Sequence, residues 1–165
     1  MKNIKYKNLL SFTHKLLIKV GLDNFSAKCV SEGLCETSLR GVDSHGIRLL
    51  PHYIEFAIKG RKNPKPKFFF NRVFQSFGVL DADHAFGHVA AIKSINLAIP
   101  IAKKYGVSII AVKNSTHPGA MSCATLTAAR EGYAAFAFTH ADSLMLSFNS
   151  NESYYGTNPI SFACP

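Results

Sequence analysis

Tryptophan is absent from the chain, and acidic residues are scarce: ten Asp and Glu stand against nineteen Lys and Arg, giving a formal net charge of +9. The shortage is local. Residues 1–72 hold fourteen basic and five acidic side chains, whereas residues 73–165 hold five of each, so the entire excess lies in the first 72 residues. Such asymmetry suits a small anion, an anionic surface or nucleic acid. The basic residues are scattered through amphipathic segments, however, which is the pattern of a solvated face, and no nucleic-acid recognition motif accompanies them. A nucleic-acid partner is therefore not expected; a basic nucleic-acid-binding module stands as the alternative. Four cysteines, Cys29, Cys35, Cys123 and Cys164, include no Cys-x-x-Cys pair. A chain this large and apolar needs no disulfide frame, so they read as reduced, mostly buried thiols. No apolar run approaches the ~20 residues of a membrane span. The basic start, Met1-Lys2-Asn3-Ile4-Lys5, leads into an amphipathic pattern and not into a signal core. A cytoplasmic location without a membrane partner is the expectation. No G-x-G-x-x-G follows a strand, and neither a P-loop nor a G-x-S-x-G turn occurs.

What is present is ample apolar content, 47% of 165 residues, enough for one domain with a helical appendage. Tyr6, Leu9, Leu10, Leu16, Leu17 and Val20 recur at helical spacing up to Gly21. A second helix begins near Asn24 or Ser26, buries Ala27, Val30 and Leu34, and ends at Arg40-Gly41. Pro51 suits the first turn of a third, running to Gly60. Arg61–Lys67, with Pro64 and Pro66, reads as an extended connector. Beyond it the periods alternate. Phe77–Leu80 reads as a strand, Gly87–Lys104 as a helix kinked by Pro100, and Val107–Val112 as a buried strand. Ala120–Arg130 then reads as a helix and Tyr133–Thr139 as a second buried strand. Strand and helix in alternation argue for an α/β sandwich with parallel neighbours.

Two short runs carry the chemistry. In Arg40-Gly41-Val42-Asp43-Ser44-His45-Gly46-Ile47-Arg48, glycines bracket polar residues and an arginine follows. Imidazole moves protons near neutral pH, and guanidinium grips a carboxylate with two prongs. If Asp43 or Ser44 caps a helix starting there, Ser44 and Arg48 share a face at i, i+4. A plain capped helix start would look the same. The second run, Asn114-Ser115-Thr116-His117-Pro118-Gly119, joins a strand's carboxyl end to a helix, where ligands of open sheets bind and free N–H groups favour anions. His84 and His88 are four apart, but no third ligand is evident and no metal site is expected. His14 and His52 read as surface residues; His140 ends a strand and can line a cleft.

Together with Pro51 and Tyr53, and with Gly156-Thr157-Asn158-Pro159-Ile160, these runs resemble the malate/L-lactate dehydrogenase family, which includes ureidoglycolate, sulfolactate and diketogulonate oxidoreductases. Order and spacing agree along essentially the whole chain. The resemblance implies a three-layer mixed-sheet sandwich, a non-Rossmann nicotinamide-binding fold, in residues 67–165, preceded by a small helical domain in residues 1–66. It implies a cytoplasmic homodimer that moves hydride between NAD or NADP and a small 2-hydroxy or 2-oxo acid. His117 is then the proton carrier, with His45, Ser44, Arg48 and Tyr53 binding and orienting the acid; in some members the histidine of the Ser-His-Gly run is the proton donor instead. His140, Ala141, Asp142, Thr157 and Asn158 lie against the cofactor. The chain departs from the family at Ser147 and Asn149-Ser150, where many members carry Pro and Gly-Gly, and at Pro118, where an aromatic or small residue is usual. Members also continue well past Pro165, so the resemblance implies an N-terminal fragment of such an enzyme, with the α/β domain incomplete at its C-terminus. A non-catalytic truncated partner of a full-length homologue stands as the alternative.

Overall fold

A computed structural model describes residues 3–165. Helices α1 (Tyr6–Lys19), α2 (Asn24–Leu39) and α3 (Leu50–Ile58) come first, followed by strands β1 (Phe69–Arg72) and β2 (Phe77–Asp81). Helix α4 (Gly87–Tyr105), strand β3 (Ile109–Lys113), helix α5 (Ser122–Arg130) and strand β4 (Ala135–Phe138) alternate after them. Short strands β5 (Met145–Leu146), β6 (Ser153–Tyr155) and β7 (Ile160–Ala163) end the chain. The result is a mixed α/β fold.

The helices form where amphipathic spacing and end signals coincide. The Asp23 carboxylate accepts the Ser26 N–H at 2.7 Å and caps α2. Ala27, Val30 and Leu34 line its buried face at 0% exposure, as the spacing anticipates. Gly106 closes α4 in the left-handed conformation, with its N–H on Ala102 O. These segments share one core: Leu17, Val30 and Leu34 pack with Leu50, Tyr53, Phe86, Val89 and Ala90. The connector is tied down at both ends. Pro64 O accepts the Asp23 N–H, and Asp83 accepts from the Asn63 side chain and the Lys67 N–H, each at 2.8 Å.

Strand β2 pairs antiparallel with β1 and parallel with β3, the parallel pair being crossed by α4. The expected chain of parallel neighbours stops there, because β4 pairs antiparallel with β7 and β5 with β6. Nor are the two apolar strands buried. Ile109 is 60% exposed, and Phe136 and Phe138 are 63% and 67% exposed. Apolar composition made them look like interior strands, but among the described residues no element covers their outer faces. The cysteines are free; Cys29 and Cys35 are buried, Cys123 is half-buried and Cys164 is exposed, so the thiols are not mostly buried as composition suggested. Among the described residues no helix is long and apolar enough to cross a membrane.

Candidate active site

The turn after α2 is built by the end of that helix. Val42 N–H returns to Thr37 O, and Ser38 Oγ accepts the Ile47 N–H at 2.8 Å. Gly46 is buried against Ser38, where a Cβ would collide with the Ser38 hydroxyl. The run does not continue into one α-helix as the capped-start pattern suggested. Two 3₁₀ turns, Asp43–His45 and Ile47–Leu49, flank an extended Gly46, and neither Asp43 nor Ser44 caps them. Ser44 therefore does not share a helical face with Arg48; its Oγ lies 2.9 Å from Nδ1 of His45 instead. Arg48, on the second turn, is exposed and makes no ion pair among the described residues.

The other run leaves the carboxyl end of β3. Asn114 turns left-handed and its amide bridges both Asp81 oxygens at 3.0 and 3.1 Å. The Asp83 N–H, then the Asn114 amide, hold the Asp81 carboxyl below its ordinary range. Thr116 Oγ1 donates to Ala85 O at 3.3 Å. So anchored, the loop brings His117 to His45: their ring centroids are 5.6 Å apart, at 31° between planes. Solvent reaches His117, yet surrounding protein lowers its pKa, first by desolvation and then through a charge on His45; Asp142 opposes this, which places a carboxylate nearby. The Gly119 N–H donates to Nδ1 of His117 at 3.2 Å. Ser44, Arg48, His140 and Asp142 are exposed, so this face opens to solvent. A hollow of about 290 Å³ between α1 and α2, lined by Lys7, His14, Lys28 and Glu32 among others, lies elsewhere.

Tyr53 sits behind the pair, not beside open space. It is 6% exposed, stacks on Phe86 at 5.6 Å, and its hydroxyl is 3.2 Å from Nδ1 of His88. Burial pushes its phenol well above the ordinary range. His88 is the residue that sequence reasoning passed over, since it entered only as half of a possible metal pair with His84. Among the described residues no group of three metal-ligating side chains forms. Gly33, in the middle of α2, was the available signal, because an interior helical glycine marks a close approach.

A model of the malate/L-lactate dehydrogenase family matches residues 4–165. The chain belongs to that family. It is 37% identical over 157 residues to a malate dehydrogenase of Pyrococcus abyssi, covering 95% of this chain and 43% of that protein. It is 33% identical over 162 residues to an NAD(+) ureidoglycolate dehydrogenase of Escherichia coli K12, covering 98% and 46%. The solved malate dehydrogenase of Pyrococcus horikoshii OT3 superposes with a TM-score of 0.94 at 35% identity, covering 99% of this chain and 47% of that one. The chain thus spans about half the length of the relatives it matches. In this malate/L-lactate dehydrogenase family member, the two segments that the resemblance assigns to the cofactor meet each other. The Asn158 amide oxygen accepts the Ala141 N–H at 3.0 Å. Gly156 packs so closely on Ala141 O that a Cβ would collide with it. His140, Asp142, Thr157 and Asn158 remain exposed at the carboxyl end of β4.

Proposed function

We propose that this chain carries the acid-binding and proton-transfer groups of an oxidoreductase acting between NAD(P) and a small 2-hydroxy or 2-oxo acid. The observation that carries the proposal is the His45–His117 pair, two imidazoles from distant segments at 5.6 Å, with Arg48 on the adjoining turn. Converting a 2-hydroxy acid to a 2-oxo acid removes a proton from the hydroxyl and a hydride from C2, and it leaves a carboxylate to be held. Arg48 supplies the cation for that carboxylate. The imidazoles differ in their hydrogen bonds. Because Nδ1 of His117 accepts from Gly119 N–H, its neutral ring carries the proton on Nε2, which suits donation to the substrate oxygen. Nδ1 of His45 faces a hydroxyl that can donate or accept, so both protonation states of that ring are satisfied. His45 is therefore the group that takes and returns the proton, and His117 holds the oxygen. The paired backbone segments at Ala141 and Asn158 would hold part of a nicotinamide nucleotide: they are small and polar, Asn158 is exposed, and Asp142 beside them acts on His117. When bound there, the nicotinamide supplies hydride exchange.

Residues 1–66 then form a helical domain and residues 67–165 part of a three-layer mixed-sheet sandwich, within a cytoplasmic homodimer. The uncovered aromatic face of β4 supports further packing against that sheet. The test follows nicotinamide absorbance with NADH or NADPH and a panel of 2-oxo acids. In parallel, the imidazole resonances of His45 and His117 are followed as the same acids are added. Saturable shifts at both rings are expected, with His45→Ala losing about 10²–10⁴ in rate. Acids that bind without moving either ring, or that do not bind at all, defeat the assignment.

A further inference from the structure

Behind the histidine pair lies a third imidazole. His88, in the first turn of α4, is 1% exposed. Two glycines clamp its ring. A Cβ on Gly33 of α2 would collide with Cδ2, and one on Gly119 would collide with Cε1 and Nε2. Tyr53 holds Nδ1 at 3.2 Å, while Nε2 is buried without a hydrogen-bond partner. An apolar side chain of similar size would fill this slot without an unsatisfied polar atom. The imidazole thus answers to something beyond volume.

Its neighbours say what. Gly119, which leaves no room for a Cβ against the Cε1–Nε2 edge of His88, is the residue whose N–H fixes Nδ1 of His117. One residue earlier on α4, Gly87 packs against the His117 carbonyl and the Pro118 α-carbon so tightly that no Cβ fits. The first turn of α4 therefore supports the His117-Pro118-Gly119 loop at two consecutive positions. We propose that His88 is a positioning residue: anchored by Tyr53, it sets the place of Gly119, and Gly119 sets the tautomer and orientation of His117. Burial, then His117 and His45, hold His88 in its neutral form, which keeps a second positive charge away from the site. The proposal rests on the role given above to His117, but it is a statement about geometry and is tested without turnover.

The experiment records long-range ¹H–¹⁵N imidazole spectra of the 165-residue chain against pH, for the wild type and for His88→Leu, His88→Gln and Tyr53→Phe. The groups that face His117 and titrate or carry charge are His45, His88 and Asp142. In the wild type, His117 is expected as the Nε2–H tautomer. In His88→Leu that preference is lost, and the His117 midpoint rises by about one pH unit, the worth of one hydrogen bond to the neutral ring. His88→Gln, whose amide can still meet Tyr53, restores part of it. Tyr53→Phe, which removes one oxygen and preserves packing, moves His117 in the same direction by less and serves if His88→Leu does not fold. An unchanged His117 tautomer and midpoint in folded His88→Leu, or in Tyr53→Phe should His88→Leu not fold, overturns the proposal. Shifts as expected in a protein that binds no 2-oxo acid would leave His88 in its role and remove the function instead.

Discussion

A buried neutral histidine leaves a mark on stability. The His88 pKa is lowered from 6.5 to about 4, chiefly by desolvation and then by His117 and His45. Above pH 6.5 the folded and unfolded chains both hold it neutral, and it adds no pH dependence. As pH falls below 6.5 the unfolded chain takes up a proton that the folded chain refuses until about pH 4. Stability therefore declines through that window, by about 1.4 kcal/mol per unit and roughly 3 kcal/mol in all. The lowered pKa of His117 acts with the same sign. Urea unfolding at pH 7 and pH 5 should show the loss in the wild type and a smaller one in His88→Gln. An equal loss in both would assign it to other groups. The residue that makes this prediction could not be found from spacing alone. His45 and His117 stood out because each sits in a loop among turn-forming residues, whereas His88 looks like any polar residue at a helix start. Its importance comes from Gly33 and Gly119, 55 and 31 positions away, and that meeting exists only in three dimensions.

At the level of elements, helices were legible and strand environments were not. Periodic apolar residues closed by a following glycine define α1, α2 and α4 locally, without knowledge of partners. A short apolar strand carries no such information, since the same residues serve an interior strand and one whose outer face is uncovered. The 3₁₀ turns at Asp43–Leu49 escaped for a related reason: local residues allow a capped helix, and the end of α2 imposes something tighter. Gly46 is where it does so. An added methyl would meet the Ser38 hydroxyl, which already holds the Ile47 N–H. Gly46→Ala should thus cost about 1–3 kcal/mol by overpacking and displace His45 from His117. Thermal unfolding reads the first effect, and loss of 2-oxo acid shifts at His45 reads the second. A variant with native stability and intact shifts would mean that Ser38 simply rotates away.

Taken whole, the molecule keeps its polar chemistry and its apolar surface apart: the paired histidines lie beyond β3, and the apolar side chains stand on the β4–β7 ribbon. In the β4–β7 ribbon Phe136 faces Phe162 and Phe138 faces Ile160 across the ladder, so all four project from one side. The Phe136 and Phe162 rings are 4.6 Å apart, and the four side chains are 54–69% exposed. On the opposite side the ribbon meets α5, where Thr125 and Ser161 hydroxyls lie 2.9 Å apart. A contiguous aromatic patch of this kind exceeds what isolated surface residues explain. The basic excess sits in the first 72 residues, so charge repulsion offers this face little protection. Concentration-dependent association is the consequence, little changed by moderate sodium chloride and strengthened by sulfate, which favours apolar burial. Sedimentation at rising protein concentration should reveal it, together with binding of an apolar dye. Replacing Phe136 and Phe162 by Ser should suppress both while changing unfolding free energy by no more than about 1 kcal/mol, since neither ring is buried in this chain. A large loss of stability in that double variant would instead mean that the two rings, though open to solvent, hold β4 to β7.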